Sequence, residues 1–350
     1  MAGAEGNAPG NMRAAAAPLA HGGRLAEALR LFPDAPRPIL DLSTGINPVP
    51  YPLPPLPPEA FTRLPEPSDE ADLRAVAARA YGVADPDCVA AAPGTQLLIE
   101  LLPLLFPARR VAVLAPTYAE HAHAWRKAGA EVREAATLAA LQDCDVAILC
   151  NPNNPDGQLH ASQSLMALGV SLASRGGLLV VDESFHDLIR PGTSIAGAQP
   201  HPGLIVLRSF GKTYGLAGVR LGFALAAPKP AATIRAALGP WAVSGPALAI
   251  GRAALADAAW LAATQARLAA EVPVLDALIA AAGLRVVGGT PLFRLADGAA
   301  APALFGRLGR AGIFVRRFAE RPDWLRLGLP GSPQAWARLR QAIRNDGDAP

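Results

Sequence analysis

Five short apolar runs, each closed by turn-forming or polar residues, restrict most strongly how this chain can fold. They are RVAVLAP, DVAILCNP, GGLLVVDES, GLIVLRS and RLGFALA, and they lie between residues 110 and 226, mostly with helical segments between them. Short runs of this kind, apolar on both faces, are typical of strands buried in a parallel-type sheet that is covered by helices. The sequence therefore predicts an α/β fold with a mostly parallel mixed sheet between helices.

The chain is longer than a single hydrophobic core usually requires, since it has 350 residues. We therefore expect a large domain and a smaller one. Residues 33–67 are rich in proline, so we expect an extended arm there, without helix or central strand. The predicted division is a disordered leader over 1–20, an N-terminal arm over 21–67 that contributes to the small domain and to a subunit contact, a large domain over 68–245, and a C-terminal small domain over 246–350.

The smaller domain is predicted to be of the α+β type. An Ala/Leu-rich segment from about 246 to 282 favours helix. Beyond it, LRVVGGTPLFRLA, GIFVRRF and WLRLGL are typical of strands, and SPQAWARLRQAIR is typical of a closing helix. In the large domain, DEADLRAVAARAYG predicts a helix with acidic residues in its first turn and a glycine at its end.

Composition excludes several classes of protein. A hydrophobic content of 51% with 17% charged residues indicates a folded chain, not a disordered one. The net charge is only +3 and the positive charges are scattered, so we expect no nucleic-acid partner. No apolar run approaches the roughly 18–20 residues that span a bilayer, so we expect no membrane partner. Cys88, Cys144 and Cys150 lack Cys-x-x-Cys spacing, so we expect no disulfide framework and no metal site, and a cytoplasmic protein with reduced thiols.

The residues that follow the predicted strands are the candidates for a functional site, because open α/β sheets bind ligands at the carboxyl ends of their strands. Each candidate alone has an ordinary alternative, such as a turn, core packing or a closing loop. The candidates are Gly94, Thr95 and Gln96 after VAAA, Tyr118 after VAVLAP, Asn154 after VAILC, Asp182 after LLVV, and Ser209, Lys212 and Arg220 after LIVLR.

Lys212 is unusual because this chain almost always uses arginine as its cation. Of the 32 basic residues, only Lys127, Lys212 and Lys229 are lysines. A lysine amine can lose its proton and attack a carbonyl, whereas arginine stays protonated. Lys212 is therefore a candidate for covalent chemistry, although a solvated loop lysine would give the same local pattern.

Taken together, the candidates supply a phosphate cradle, a stacking ring, a hydrogen-bonding amide, a carboxylate and an amine. These are the groups needed to hold pyridoxal 5′-phosphate. The lysine forms a Schiff base with this cofactor, and the carboxylate keeps its pyridine nitrogen protonated so that the ring accepts electrons. The sequence therefore predicts an enzyme that uses pyridoxal 5′-phosphate.

Three motifs, NPNNPDG, VVDESF and SFGKTYGLAGVRLGF, resemble those of fold-type I pyridoxal-phosphate enzymes of the aspartate aminotransferase superfamily. The resemblance covers nearly the whole chain after residue 20, and it implies that superfamily's fold and a homodimer with active sites at the subunit interface. By position it implies Lys212 as the Schiff-base lysine, Asp182 at the pyridine nitrogen, Asn154 at the phenolic oxygen, Tyr118 on the ring, Gly94, Thr95, Gln96, Ser209 and Arg220 at the phosphate, and Arg326 at the substrate α-carboxylate.

Two positions depart from the family pattern. Many relatives, including histidinol-phosphate aminotransferases, have a tyrosine where this chain has Phe185, and that hydroxyl also contacts the phenolic oxygen. Relatives also carry an Arg-Tyr-Pro tyrosine that reaches the partner subunit's phosphate, where this chain has Leu64. Asn154 is therefore expected to be the main contact of the phenolic oxygen, and the contact across subunits is expected to be lost or replaced.

The N-terminal segment narrows the predicted reaction. HGG, LDLSTGINP and a Phe after DES resemble the L-threonine-O-3-phosphate decarboxylases of cobalamin biosynthesis, which release CO₂ to give (R)-1-amino-2-propanol O-2-phosphate. The resemblance implies a phosphorylated amino acid as substrate, and the alternatives are a histidinol-phosphate-type aminotransferase or a non-catalytic protein with the same fold. Candidate substrate contacts are His21, Arg316 and Arg317 for the phosphate, and Gly45 and Asn47 near the carboxylate.

Overall fold

The computed structural model describes residues 21–189 and 192–344, so the predicted leader over residues 1–20 lies outside the described part. In chain order the helices are α1 (Leu25–Leu31), α2 (Glu59–Thr62), α3 (Pro67–Tyr81), α4 (Thr95–Leu105), α5 (Glu120–Lys127), α6 (Ser162–Ala173), α7 (Phe210–Thr213), α8 (Pro228–Leu238), α9 (Gly245–Ala256), α10 (Ala258–Ala281), α11 (Ala301–Arg310) and α12 (Pro333–Arg344). The strands are β1 (Leu40–Leu42), β2 (Val89–Ala92), β3 (Arg110–Leu114), β4 (Glu131–Ala135), β5 (Val146–Cys150), β6 (Leu178–Asp182), β7 (Leu204–Ser209), β8 (Gly222–Ala226), β9 (Arg285–Thr290), β10 (Phe293–Asp297), β11 (Ile313–Arg317) and β12 (Trp324–Gly328).

The larger sheet has seven strands in the order β2-β8-β7-β6-β5-β3-β4. Neighbouring strands pair in parallel except at β8, which is antiparallel to both β2 and β7. The strands carry apolar side chains on both faces, and alternate residues enter different clusters: Val111 and Val113 on one face, Ala112 and Leu114 on the other. The predicted α/β fold with a mostly parallel mixed sheet is confirmed, and all five apolar runs form strands.

Strand β4 was not predicted, because its sequence EVREA lacks an apolar run. It pairs only with β3 at the edge of the sheet, where most of its side chains are exposed. An edge strand needs little apolar surface, so hydrophobic pattern alone does not detect it.

The smaller sheet has five strands in the order β1-β11-β12-β10-β9. Strands β9 to β12 correspond to the strands predicted in the C-terminal third, and α12 to the predicted closing helix. The Ala/Leu-rich segment is helical but divides into α9 and α10, which bend by 72° at Asp257. In the described part of the chain, no single helix is long and apolar enough to cross a membrane; only this bent pair passes by length and composition.

The proline-rich arm is less uniform than predicted. Strand β1 pairs in parallel with β11, at the edge of the smaller sheet. The expectation of no helix in the arm is wrong at α2, a single turn that follows Pro57 and Pro58. Proline is compatible with the first turn of a helix because the N–H groups there have no partner within the helix.

Candidate active site

The predicted site residues meet at one edge of the larger sheet. Within the larger sheet, as far as the chain is described, only β8 is antiparallel to its neighbours, so β2, β3, β5, β6 and β7 all end at the edge where β8 begins. Asp182 is the last residue of β6, Ser209 is the last residue of β7, and Lys212 follows in α7. The helices α4, α5 and α6 return the chain after β2, β3 and β5, so that the next strands run in the same direction and residues distant in sequence reach the same edge.

Gly94 and Arg220 form a narrow cradle at the N-terminus of α4. Gly94 has a φ of +84°, and a Cβ built there would lie 2.5 Å from the Arg220 Nη2 atom. A Cβ at Gly222 would lie 2.5 Å from the Thr95 backbone nitrogen. Only glycine therefore allows the guanidinium and the first N–H groups of α4 to come together, an arrangement that binds phosphate.

Asp182 forms a buried ion pair with His121. The His121 Nε2 atom donates to the Asp182 Oδ2 atom at 2.9 Å, and the Ser184 backbone N–H donates to Oδ1 at 2.9 Å. Burial raises the pKa of Asp182, but the His121 contact and the Ser184 hydrogen bonds outweigh burial and leave the pKa below its ordinary value. Burial lowers the pKa of His121, yet hydrogen bonds with Asp182 and Cys150 raise it to about 10. Asp182 is thus held ionised, as a partner for a protonated ring nitrogen must be.

Tyr118 lies beside this ion pair, with its ring centroid 6.1 Å from that of His121. Its hydroxyl donates to the Gln96 Oε1 atom at 3.1 Å. Gln96 therefore ties the aromatic ring to the first turn of α4, which fixes the ring relative to the phosphate cradle.

Lys212 is buried close to several charged groups. Burial lowers the pKa of its amine to about 8, and the positive charges of Arg326 and Arg220 act in the same direction, against Asp182. Its Nζ atom lies 5.5 Å from the centroid of the Phe185 ring. A lowered pKa increases the neutral fraction of the amine near neutral pH, which is the form that attacks a carbonyl.

Arg326 links the smaller sheet to the larger one. Its Nη1 atom donates to the Asn154 Oδ1 atom at 2.5 Å, and its Nη2 atom donates to the Ser43 carbonyl at 2.9 Å. Its Nε atom is buried without a hydrogen-bond partner among the described residues. Burial and the charge of Arg316, which lies opposite Arg326 between β11 and β12, lower its pKa to about 10, so it stays charged at neutral pH.

A cavity of about 540 Å³ opens beside Arg316 and Arg317. It is lined by residues of the HGG segment, the arm and the smaller sheet, including His21, Ser43, Arg316 and Phe318. His21 contacts the Glu120 carboxylate at 2.6 Å, and its ring centroid is 5.8 Å from that of Tyr118. The structure thus places His21 and Arg316 on one cavity.

Of the two candidates on the arm, Asn47 lies next to the Lys212 segment, whereas Gly45 lies against the rings of Phe185 and Phe293. The Asn47 backbone N–H donates to the Lys212 carbonyl at 2.9 Å, and its side-chain Nδ2 donates to the Thr213 carbonyl at 2.9 Å. The Asn47 Oδ1 atom accepts a hydrogen bond from Arg267 at 2.7 Å. Asn47 therefore holds the chain segment of Lys212, and its contact with substrate stays a prediction.

The residues present fit pyridoxal 5′-phosphate. The cradle that a Cβ at Gly94 would fill matches its phosphate, and the buried carboxylate of Asp182 matches its ring nitrogen. Lys212 supplies an amine, and Asn154 lies within reach of Arg326. Leu64 is 64% exposed, and the expected loss or replacement of the contact across subunits at this position stays a prediction.

Sequence reasoning missed three residues of this site: His121, Arg267 and Phe293. His121 could have been found, because it lies three residues after Tyr118, close to the same strand end, and its backbone N–H donates to the Tyr118 carbonyl at 3.3 Å. Arg267 and Phe293 carry no local signal. They reach the site only through the packing of α10 and β10 against the arm.

The chain is similar to known proteins in sequence and in fold. The sequence profile of the aminotransferase class I and II family matches residues 59–343. The threonine-phosphate decarboxylase of Pseudomonas aeruginosa is 45% identical over 329 residues, which cover 93% of this chain and 97% of that protein. The histidinol-phosphate aminotransferase of Symbiobacterium thermophilum is 32% identical over 255 residues, 69% of this chain and 70% of that protein.

Among solved structures, the histidinol-phosphate aminotransferase from Sinorhizobium meliloti in complex with pyridoxal-5′-phosphate superimposes with a TM-score of 0.77. It is 22% identical, and the match covers 94% of this chain and 96% of that chain. At this identity the likeness establishes the fold, which is the one implied by the motifs.

Proposed function

Because the chain belongs to the aminotransferase class I and II family, we propose that it uses pyridoxal 5′-phosphate to decarboxylate L-threonine O-3-phosphate. The product is (R)-1-amino-2-propanol O-2-phosphate. The P. aeruginosa threonine-phosphate decarboxylase, at 45% identity over 93% of the chain, supports this reaction over that of the more distant histidinol-phosphate aminotransferases. A role in cobalamin biosynthesis stays a prediction.

The observation that carries the proposal is the pair of arginines on the smaller sheet. Arg316 and Arg326 lie directly opposite each other on adjacent strands, and Arg316 lines the same cavity as His21. Two like charges in this position repel each other, which favours a ligand with two anionic groups. L-Threonine O-3-phosphate carries a carboxylate and a phosphate. We assign the carboxylate to Arg326 and the phosphate to Arg316 and His21.

The residues of the larger sheet have separate tasks in this reaction. Arg220, Ser209 and the N–H groups after Gly94 hold the cofactor's phosphate, while Tyr118 supports the ring and Asn154 contacts its phenolic oxygen. Asp182, kept ionised by His121, holds a proton on the ring nitrogen. When bound, pyridoxal 5′-phosphate supplies an electron sink for the pair released at the substrate's Cα.

Lys212 has two tasks. Its amine would attach the cofactor, and the same amine would serve as the proton donor to the substrate. With a pKa of about 8 it exchanges protons near neutral pH, so it can return the proton that replaces CO₂.

We also propose a homodimer. The arm supports this proposal, since Leu53, Phe61 and Leu64 are all more than 60% exposed on one short segment. Apolar side chains grouped in this way are typical of protein interfaces.

The test of the reaction is product analysis with L-threonine O-3-phosphate and no keto acid. We expect continuous CO₂ release, with many turnovers per Lys212. A single conversion of the cofactor to its amine form, with turnover only after 2-oxoglutarate is added, would instead establish an aminotransferase.

A further inference from the structure

Two phenylalanine rings in mutual contact lie beside the cations of the site, Phe185 next to the Lys212 amine and Phe293 next to the Arg326 guanidinium. The Lys212 Nζ atom is 5.5 Å from the Phe185 centroid, and the Arg326 Cζ atom is 4.8 Å from the Phe293 centroid. The two rings meet edge to face, with centroids 5.1 Å apart. Both are buried, Phe293 completely. The two cations of the proposed site are thus joined by a continuous aromatic surface.

The strand register and the arm hold this surface in place. Phe293 pairs with Gly328, two residues from Arg326, so its ring and the guanidinium lie on the same face of the smaller sheet. On the arm, a Cβ at Gly45 would lie 2.8 Å from Phe185 Cε1 and 2.9 Å from Phe293 Cδ1. Position 45 therefore cannot hold a polar side chain without displacing the two rings.

We infer that Phe293, together with Phe185, is a specificity-determining residue that favours loss of the substrate's carboxylate over loss of its Cα proton. This inference rests on the proposed function and deepens it. A carboxylate held by Arg326 lies against the two rings, which offer it no hydrogen bond. The rings occupy the space where a hydroxyl or a water would otherwise solvate that carboxylate.

The effect follows from where the charge goes in each reaction. In decarboxylation the bond between Cα and the carboxylate carbon breaks, neutral CO₂ leaves, and the bonding pair stays with Cα until a proton from Lys212 forms the new C–H bond. The carboxylate therefore loses its charge next to the rings. The two rings, which together form an apolar wall, destabilise the charged carboxylate of the ground state more than the transition state, in which that charge is already decreasing. In transamination the Cα proton leaves and the carboxylate keeps its charge, so the wall gives no such advantage.

The contacts of Arg326 with its protein neighbours also relieve a conflict in the site. An arginine that holds the carboxylate stabilises the ground state and thereby slows CO₂ loss. Arg326 is already engaged by Asn154 and the Ser43 carbonyl, and Phe293 covers one face of its guanidinium. These contacts position the charge while the rings limit further solvation of the carboxylate.

The test compares two substitutions at each ring. Phe293→Tyr and Phe185→Tyr add a hydroxyl to the wall, whereas Phe293→Leu and Phe185→Leu keep it apolar. In the holoenzyme we measure CO₂ released per conversion of the cofactor to its amine form. Phe293→Tyr should lower this ratio about tenfold, and Phe293→Leu should change it by less than about threefold. Equal ratios for the tyrosine and leucine variants would overturn the inference.

Phe185→Tyr needs a separate comparison, because its hydroxyl could instead contact the cofactor's phenolic oxygen. A fall in the ratio in both tyrosine variants supports a wall formed by both rings. A fall in Phe185→Tyr alone, with Phe293→Tyr equal to the unsubstituted enzyme, would assign the effect to the cofactor contact and overturn the inference.

A binding measurement separates the wall from general damage to the site. Calorimetry with the cofactor-free full-length protein compares L-threonine O-3-phosphate with 1-amino-2-propanol O-2-phosphate, which lacks the carboxylate. Phe293→Tyr should tighten binding of the first ligand several-fold and leave the second unchanged. Weaker binding of both ligands would mean that the ring is only structural. If the unsubstituted holoenzyme releases no CO₂, the proposed function itself fails, whatever the variants do.

Discussion

The two halves of the proposed site are built in different ways. The cofactor half lies on the larger sheet, where Asp182 and Ser209 end strands β6 and β7 and Lys212 follows β7 within a few residues. The substrate half combines His21 and Gly45 of the arm with Phe293, Arg316 and Arg326 of the smaller sheet, brought together by β-sheet register and packing. Changes in the first half should therefore alter cofactor attachment, and changes in the second should alter substrate binding and the choice of reaction.

The largest effect is expected at Lys212, the centre of the cofactor half. Lys212→Ala removes the amine that attaches the cofactor and returns the proton, so activity should fall by more than about 10⁴-fold. The visible absorbance of the attached cofactor should be lost while the fold, measured by circular dichroism, is kept. A retained band at its original wavelength would contradict the assignment of Lys212.

Asp182 tests whether charge alone matters at the ring nitrogen. Asp182→Asn keeps the size of the side chain but removes the negative charge, so activity should fall about 10³-fold while cofactor still binds. His121→Asn keeps Asp182 and removes its partner, so the fall should be about tenfold. If the two variants lose equal activity, Asp182 does not act through its charge.

Arg326 tests the substrate half and its link to Lys212. Arg326→Ala should lower kcat/KM about a hundredfold, because the carboxylate loses a charged hydrogen-bonding partner, and cofactor content should not change. Removing this charge should also raise the pKa of Lys212 above about 8, although burial, its main cause, remains. Cofactor attachment at pH 7 should then be slower and should rise with pH over a higher range than in the unsubstituted protein.

A loss of cofactor together with a normal KM in Arg326→Ala would place this arginine in the cofactor half. Arg326→Lys is the matched control for charge. It should recover the pKa of Lys212 but not the kcat/KM, since an ammonium group cannot reproduce the two-pronged geometry of a guanidinium.

Gly94 tests the phosphate cradle. Gly94→Ala places a Cβ 2.5 Å from Arg220 Nη2, so Arg220 must move and the affinity for cofactor should fall about tenfold. Gly82→Ala is the control, because Gly82 also has a positive φ, +71°, but no atom within 4 Å of the added Cβ. Both variants should lose similar stability, about 1 kcal/mol, and only Gly94→Ala should bind cofactor more weakly, as measured by titration. Equal affinities would remove Gly94 from the cradle.

The same difference between the halves explains how far the sequence could be interpreted. The larger sheet was predicted because its strands are apolar on both faces. Asp182 and Lys212 were found because they lie at, or shortly after, the ends of those strands. Phe293 could not be found, because its position opposite Gly45 depends on how β10, β12 and the arm pack together. Strand β4 and helix α2 were missed because an edge strand and a single turn need no apolar pattern.

The smallest effect is expected where the two halves join. Arg267 on α10 donates to the Asn47 side chain, and Asn47 donates from its backbone N–H to the Lys212 carbonyl and from its side chain to the Thr213 carbonyl. Helix α10 therefore reaches the Lys212 segment through one residue, Asn47. Arg267→Gln should lower kcat by about threefold to tenfold and leave KM unchanged, since the hydrogen bond to Asn47 is partly buried.

Arg252→Gln is the matched control for Arg267→Gln, because Arg252 pairs with Asp72 at 2.8 Å on the surface of α9 and has no contact with the Lys212 segment. An exposed ion pair contributes little, so kcat should not change. The pH dependence of cofactor attachment shows whether Arg267 positions Lys212 or only stabilises the fold. If Arg267 positions Lys212, the pH dependence shifts in Arg267→Gln, because Lys212 moves relative to Arg326. If only stability is lost, the pH dependence does not change. Equal kcat values in the two variants would mean that the arm holds Lys212 without help from α10, and that the halves are independent at this contact.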